Sequence, residues 1–182
     1  MDESRFQLKK GTPDGPMGPW VWLAAWGPCG LSPVAPGTVG TLGAVPLAWA
    51  LSRAGWPAYL AATAVLFALG LAAARRAGRY WGVVDASAIV IDEVVGYLVA
   101  MALVPFSWAA AAAAFVLFRL FDVLKPWPAS ALDRVKSGLG VVGDDLAAGV
   151  WAAVAYAFVC LGLRPALGCG GGLHFWCAEF TP

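Results

Sequence analysis

Charged side chains are scarce in this sequence, making up 13% of its 182 residues, whereas 60% of the residues are hydrophobic. A soluble domain usually carries about 25% charged and about 45–50% apolar residues. The formal net charge is +1, so the chain lacks the basic excess that indicates a nucleic-acid partner. This composition argues against a soluble or nucleic-acid-binding protein and is typical of a single domain embedded in a lipid bilayer.

Histidine and paired cysteines are also nearly absent, which removes several kinds of active site. His174 is the only histidine, and the four cysteines show no Cys-x-x-Cys spacing, so we expect no zinc site. The sequence contains no Cys-x5-Arg phosphatase loop, no Asp-x-Asp phospho-aspartate motif and no signature of CDP-alcohol transferases. The lone histidine excludes the histidine-dependent lipid phosphatases. Whether Cys169 and Cys177 form a disulfide is left open.

Long apolar runs are present instead, and they predict membrane helices. Crossing the hydrocarbon core takes about 20 mostly apolar residues, and backbone groups in lipid must be hydrogen-bonded within the segment. A short run, Thr38–Ser52, follows a Pro-Gly pair, and four longer runs are Trp56–Ala74, Ala88–Val104, Ser107–Leu124 and Asp144–Leu163. The sequence therefore predicts an all-α fold, a polytopic membrane helical bundle of four to five membrane-crossing or re-entrant helices.

Three regions follow from this pattern. Residues 1–19 are polar and rich in Pro and Gly, and they lack the apolar core of a signal peptide, so we expect a disordered cytoplasmic tail. Residues 20–163 form the predicted membrane-embedded domain. Residues 164–182 form a C-terminal tail with Cys, Gly and aromatic residues, to which the sequence assigns no function.

If the five runs cross the membrane in alternation, every unusual polar cluster falls on the starting face. Ten of the 12 Lys and Arg residues lie on that face or at its boundary, and only Arg53 and Arg164 lie on the other. Cytoplasmic loops carry the excess of Lys and Arg, so we expect the polar clusters to face the cytoplasm. If Thr38–Ser52 is re-entrant, the N-terminus changes sides but the other clusters stay together.

Acidic residues stand out because they occur within or beside apolar runs, where lipid exposure is costly. The strongest candidates for an acidic site are Asp92, Glu93, Asp122, Asp144 and Asp145; Asp85 and Asp133 fall outside this set. Mg²⁺ prefers carboxylate oxygens, and so many carboxylates close together require a cation to offset their repulsion. Arg119 and Lys125 lie three residues on either side of Asp122 and would hold a phosphate. The alternative is a structural salt-bridge network inside a helical bundle.

Two glycine-rich segments lead into predicted helices. Gly30–Leu42 is punctuated by Pro and Gly and carries hydroxyls at Ser32, Thr38 and Thr41, which predicts either a phosphate site at a helix N-terminus or a helix cap alone. The segment from Gly138 to Asp145 is predicted to be a flexible glycine-rich segment followed by a helix that begins at two acids, and Asp144 is suited to be the N-cap of that helix.

Four ordered blocks resemble the signatures of the phosphatidylglycerophosphatase A family. They are Gly30–Leu42, Ile89–Gly96, Phe118–Pro128 and Gly138–Gly149. The resemblance implies an enzyme that removes the terminal phosphate from phosphatidylglycerophosphate, giving phosphatidylglycerol in the bacterial inner membrane, with Mg²⁺ as cofactor. Some relatives are soluble all-α proteins, but the long apolar runs group this chain with the membrane members.

The resemblance leaves the mechanism open. In one hypothesis Mg²⁺ activates a water molecule as the nucleophile, and Asp92, Glu93, Asp144 and Asp145 supply metal ligands or the general base. Arg119 and Lys125 would then neutralise charge on the phosphoryl oxygens, and Thr38 with Thr41 would hold the phosphate. In the other, Asp122 or another carboxylate is a covalent nucleophile. Outside enzymes, the alternatives are a transporter or ion channel, whose acids would be spread across the membrane depth, and a non-catalytic membrane interaction protein.

Overall fold

The computed structural model describes residues 15–135 and 138–162, and within these ranges the chain forms helices and no strands. A single-turn 3-10 helix, Cys29–Leu31, accompanies seven α-helices: α1 (Pro19–Ala24), α2 (Pro36–Arg53), α3 (Trp56–Trp81), α4 (Ile91–Met101), α5 (Trp108–Leu124), α6 (Ala129–Asp133) and α7 (Gly138–Gly162). The predicted all-α fold is confirmed over the described residues. Most of the predicted N-terminal tail and all of the predicted C-terminal tail lie outside them.

Two of the predicted helices have almost the bounds that the sequence indicated, and local signals explain why. Helix α5 begins after Ser107, whose side-chain oxygen accepts a hydrogen bond from the Ala110 amide at 3.1 Å. Helix α2 begins at Pro36, a favourable first residue, directly after Ala35 with φ of 46°. The two helices α1 and α6 were not predicted, since each has only five or six residues.

The prediction that Ala88–Val104 forms a membrane-crossing helix is wrong. Ala88–Val104 is not one continuous helix, because α4 has only 11 residues and begins at Ile91. At 1.5 Å per residue it is about 16 Å long, half of the roughly 30 Å hydrocarbon core. Asp92 and Glu93 therefore lie in the first turn of a short buried helix, where backbone amides and the helix dipole favour negative charge.

The prediction for the start of α7 is also wrong. The glycine-rich segment before Asp144 is helical rather than flexible, since α7 begins at Gly138. Asp144 is consequently in the second turn and is not the N-cap. Gly140 explains this local structure: a side chain there would overlap the carbonyl oxygen of Val135, so only glycine lets α7 pack against the end of α6.

Helix α4 is the centre of the bundle and contacts α2, α3, α5 and α7. Nine of its 11 residues are buried. Two tyrosines anchor it: the hydroxyl of Tyr59 on α3 donates to the Leu98 carbonyl at 2.8 Å, and that of Tyr97 donates to the Ala111 carbonyl at 3.1 Å. Small residues at Gly96 and Gly149 let α4 and α7 approach closely, as is common between helices in membranes.

Two helices in the described part of the chain are long and apolar enough to cross a membrane. They are Trp56–Trp81, with 26 residues, and Gly140–Cys160 within α7, with 21. Only 28% of the apolar window of the first is buried, so most of that helix presents apolar side chains outward. Val65, Val116 and Phe158 are 57%, 64% and 72% exposed on three different helices. Exposed apolar surface of this extent is expected when lipid covers it.

Candidate active site

One cavity of about 970 Å³ lies where α2, α4 and α7 begin and where α3 and α5 end. Every acidic residue that the structure describes contributes to its lining: Asp85, Asp92, Glu93, Asp122, Asp133, Asp144 and Asp145. Two basic residues, Arg119 and Lys125, line it as well. The polar clusters that are far apart in sequence are therefore brought together at one end of the bundle, as the alternating topology predicted.

Three of these acids form a close group. Oxygen atoms of Asp92, Glu93 and Asp145 lie within 4.8 Å of one another. Asp92 and Asp145 are 7% and 5% exposed, and the Oε2 atom of Glu93 is buried without a hydrogen-bond partner in the described part of the chain. Buried carboxylates this close together repel one another unless a cation or a proton lies between them.

The helix crossing holds the three acids in place. Asp92 and Glu93 are in the first turn of α4, and Asp145 is one turn before Gly149, where α7 touches α4. A side chain at Gly149 would overlap the carbonyl oxygen of Gly96, so the crossing distance depends on both glycines. The same backbone contact therefore sets the helix packing and the separation of the carboxylates.

Arg119 lies beside this group. Its Nη1 atom is 2.8 Å from Oδ2 of Asp122, one turn later on α5, and 3.8 Å from Oε1 of Glu93. The start of α2 covers this pair: a side chain at Gly37 would overlap the Glu93 carboxylate and come within 3.2 Å of Arg119 Nη1. Glycine at this position lets the α2 backbone form one wall of the cavity.

Lys125 is the other basic residue of the lining. It follows Leu124, the last residue of α5, and has a left-handed conformation, with φ of 43°. Its Nζ atom bonds Oδ2 of Asp144 at 2.7 Å and also bonds Asp133 of α6. Desolvation by itself lowers the pKa of Lys125, but bonds and charge from Asp133 and Asp144 outweigh it and raise that pKa above its ordinary value.

The structure thus brings together three of the four predicted metal ligands and separates the fourth from them. Asp92, Glu93 and Asp145 lie together, but Asp144 is not in that group and is engaged by Lys125 instead. Successive residues on a helix point about 100° apart, which explains why Asp144 and Asp145 have different partners. The predicted phosphate-holding threonines do not line the cavity: Thr41 is fully buried and its hydroxyl donates to the Gly37 carbonyl at 2.8 Å, and Thr38 is half-buried beside it.

Two cavity residues, Asp85 and Asp133, were not among the sequence candidates. Asp85 lies between α3 and α4, and Asp133 ends α6. A signal for both was present, because the alternating topology puts their loops on the same face as the other acids. They were not selected from the sequence, because the selected acids lie within or beside apolar runs and both of these residues lie outside those runs. A charge in a connection needs no special explanation.

The donor set fits a hard divalent cation such as Mg²⁺. All three grouped side chains offer carboxylate oxygens, and Glu93 carries one oxygen, Oε2, that has no hydrogen-bond partner in the described part of the chain. Seven acids against two bases leave a formal excess of five negative charges around the cavity. A phosphate anion would be repelled by that charge unless a cation were bound as well.

Comparison with known proteins agrees with this description. Residues 22–160 match the phosphatidylglycerophosphatase A family. The chain is 37% identical over 143 residues to phosphatidylglycerophosphatase A of Escherichia coli, covering 78% of this chain and 83% of the relative. It is 39% identical over 128 residues to the Haemophilus influenzae protein of the same name, covering 69% and 78%.

A third relative, from Bacteroides thetaiotaomicron, is provisionally named a phosphatidylinositol-3-phosphatase. It is 38% identical over 137 residues, covering 70% of this chain and 85% of the relative. No solved structure matches the chain. The family match extends from α1 to α7 and includes every residue of the cavity, and the chain belongs to the phosphatidylglycerophosphatase A family.

Proposed function

We propose that this protein is a lipid phosphatase that hydrolyses phosphatidylglycerophosphate to phosphatidylglycerol and inorganic phosphate. The observation that carries the proposal is the cavity in which all seven described acids meet Arg119 and Lys125 at one end of an apolar bundle. The family and the names of two relatives supply the substrate. A third relative's provisional name makes phosphatidylinositol 3-phosphate a second substrate to test, since both lipids carry a phosphomonoester on the headgroup.

Asp92, Glu93 and Asp145 would hold Mg²⁺ through carboxylate oxygens. When bound there, the ion would supply the positive charge that offsets the acids and polarises a phosphoryl oxygen. Their burial and the helix crossing at Gly96 and Gly149 keep the three side chains close before any ligand arrives. Because the group is already assembled, little reorganisation is needed when the cation binds.

Arg119 and Lys125, the two basic residues of the cavity lining, bind the phosphate. Each is already paired with a carboxylate, Arg119 with Asp122 and Lys125 with Asp133 and Asp144. These partners orient the cations, and the incoming phosphate offers stronger, doubly charged acceptors. As the phosphoryl group gains negative charge during transfer, fixed cations in a desolvated site stabilise it.

The reaction breaks the bond between phosphorus and the headgroup oxygen and forms a bond from phosphorus to the incoming oxygen. With water as nucleophile, a cavity carboxylate accepts the proton of the water and passes it to the departing headgroup oxygen, which leaves as an alcohol. Asp122 is the alternative nucleophile, but its Oδ2 atom is 2.8 Å from Arg119, a contact that lowers the nucleophilicity of a carboxylate. This ion pair favours the water route; labelled phosphate trapped on the protein after a rapid quench would decide for the covalent one.

The proposed setting is the bacterial inner membrane, with several crossings and the cavity facing the cytoplasm. Helix α3 and the apolar part of α7 have the length for complete crossings, and α2 and α5, at 18 and 17 residues, are close to it. Arg53 alone among the described basic residues lies at the end opposite the cavity, at the end of α2. This asymmetry of positive charge supports a cytoplasmic cavity.

The enzyme proposal is tested with purified protein and two lipids. Phosphate release from phosphatidylglycerophosphate and from phosphatidylinositol 3-phosphate is measured with and without Mg²⁺. Release that needs Mg²⁺ and is lost in Asp92→Asn is expected, and faster turnover of the first lipid supports the proposed substrate. Arg53→Gln, which removes a charge at the other end of the bundle, should retain full activity.

Failure to release phosphate from either lipid would reject the enzyme assignment. A transporter or channel and a non-catalytic membrane interaction protein are then the remaining alternatives, but the acids of a transporter or channel would be distributed through the membrane depth. Here every described acid lines one end of the bundle, which argues for a single binding site rather than a pathway.

A further inference from the structure

Three arginines near the end of α3 are not used by the proposed reaction. Arg75, Arg76 and Arg79 are exposed and lie within two turns of the helix. None of them forms an ion pair with a carboxylate in the described part of the chain. Their recorded hydrogen bonds are to backbone carbonyls within α3, from Arg76 to Ala72 and from Arg79 to Arg75. Most of their donors therefore remain available to a partner that carries negative charge.

Their depth along α3 indicates what that partner is. From Trp56 to Arg75 the helix rises about 29 Å, which is close to the roughly 30 Å thickness of the hydrocarbon core. When Trp56 is at one interface, the three arginines reach the phosphate level of the opposite leaflet. The residues that follow them lead into the cavity, since Gly82 and Val83 are part of its lining. The arginine cluster is thus at the same face as the active site.

Helix α1 packs beside the arginine cluster of α3. Trp20 on α1 stacks against Arg76, with the guanidinium carbon 4.3 Å from the ring centroid, so this arginine is held rather than freely mobile. The helix is fixed at the cavity end, because the carbonyl oxygen of Ala24 accepts a hydrogen bond from the Val90 amide at 2.9 Å. Trp22, on the same short helix, is 44% exposed. Exposed tryptophan beside arginine is typical of the membrane–water interface.

We infer that Arg75, Arg76 and Arg79, together with Trp20 of α1, form a binding surface for the phosphate groups of anionic phospholipids beside the active-site entrance. The inference rests on α3 crossing the membrane, but it concerns a different surface from the catalytic cavity. A surface of this kind gathers anionic lipids next to a site that consumes an anionic lipid. Three cations near a negatively charged leaflet each add about 1 kcal/mol of attraction, which corresponds to a combined preference of at most about 150-fold.

The test measures lipid binding and not activity. Protein is reconstituted in phosphatidylcholine with trace spin-labelled phosphatidylglycerol or phosphatidylcholine, and the motionally restricted fraction of each probe is recorded. The wild type is expected to restrict the anionic probe several-fold more strongly, and about 1 M salt should remove most of that preference. The triple variant Arg75→Gln/Arg76→Gln/Arg79→Gln should restrict both probes equally.

Arg53→Gln is the matched control, because Arg53 also stacks on a tryptophan, Trp49 at 5.5 Å, but at the end of α2 far from the cavity. It should keep the wild-type preference. Thermal unfolding of each variant checks the fold, and the single change Arg76→Gln replaces the triple one if the latter is unstable. Equal restriction of the two probes by wild-type protein overturns the inference, as does a preference that the triple variant keeps or that about 1 M salt does not reduce. Either result leaves the phosphatase assay unaffected.

Discussion

Gly96 and Gly149 face each other where α4 crosses α7, and neither position has room for a methyl group. A Cβ atom at Gly96 would lie 2.5 Å from the Phe118 ring and 2.6 Å from the Asp145 carbonyl, and one at Gly149 would overlap the Gly96 carbonyl. The crossing joins the turn of Asp92 and Glu93 to the turn of Asp145. Any change that separates the helices therefore also separates the three carboxylates.

The first prediction is that Gly149→Ala lowers both stability and activity. The methyl group must push α7 from α4, and overpacking of this kind costs about 1–3 kcal/mol. We expect a lower Tm in detergent and a marked loss of phosphate release. Gly143→Ala on the same helix is the control, since the added methyl would meet only the Leu132 side chain at 3.6 Å. Alanine favours helix over glycine by about 1 kcal/mol, so that variant should be as stable as wild type or more so.

Magnesium dependence provides the second prediction. Asp145→Asn and Glu93→Gln each remove a carboxylate of the close group, so the Mg²⁺ concentration for half-maximal activity should rise at least about tenfold. Manganese binding followed by electron paramagnetic resonance gives the same comparison without turnover. Asp133→Asn serves as the control for metal binding, because Asp133 lies outside the group and bonds Lys125. An unchanged requirement in both test variants would exclude this group as the metal site.

The third prediction concerns Lys125 and its two partners, Asp133 and Asp144. Lys125→Gln removes a cation from the phosphate site, and kcat/KM should fall about 100-fold, the scale of losing one charge-stabilising donor. Asp133→Asn should cost only a few-fold, since Asp144 still holds the lysine at 2.7 Å. Asp133→Glu should restore most of that loss. A loss in Asp133→Asn as large as in Lys125→Gln would give Asp133 a direct part in the reaction.

The charge of Lys125 leads to a prediction about pH. Its pKa is raised in the folded protein, so the stabilisation from its ion pairs is complete below the unfolded value of about 10.4 and is lost only as pH rises beyond it. Between pH 6 and 9 the side chain stays charged. Lys125→Arg, measured as kcat/KM against pH, should therefore keep the shape of the wild-type profile over that range. A new inflection in the variant would show that Lys125 itself titrates there.

Topology is checked by cysteine labelling. In a background with all four native cysteines changed to Ser, Arg53→Cys and Arg134→Cys put single thiols at exposed positions on opposite ends of the bundle. A membrane-impermeant maleimide applied to spheroplasts should label the first variant directly and the second only after permeabilisation. The reverse pattern would place the cavity on the outer side of the membrane.

Much of the site followed from the sequence because acids inside apolar runs are rare and need a reason. Asp92, Glu93, Asp122, Asp144 and Asp145 were predicted from that rule, and all five line the cavity. Asp85 and Asp133 were missed because both lie in predicted connections between apolar runs, where charge is tolerated. Thr38 and Thr41 were predicted as hydroxyls near a helix start, and that pattern does not show that the Thr41 hydroxyl is bonded to the backbone of its own helix.

The sequence by itself determined that the chain is helical, that it is too apolar for an ordinary soluble domain, and that its acids meet at one face. Hydropathy depends on local composition, and the alternating direction of successive helices then decides which ends lie together. Only the tertiary structure decided that α4 is short and buried, that Asp145 rather than Asp144 joins Asp92 and Glu93, and that Lys125 holds Asp133 and Asp144. These features depend on the rotation of each helix about its axis and on the contact between Gly96 and Gly149. Both are relationships between residues that are far apart in sequence, and no local sequence pattern predicts them.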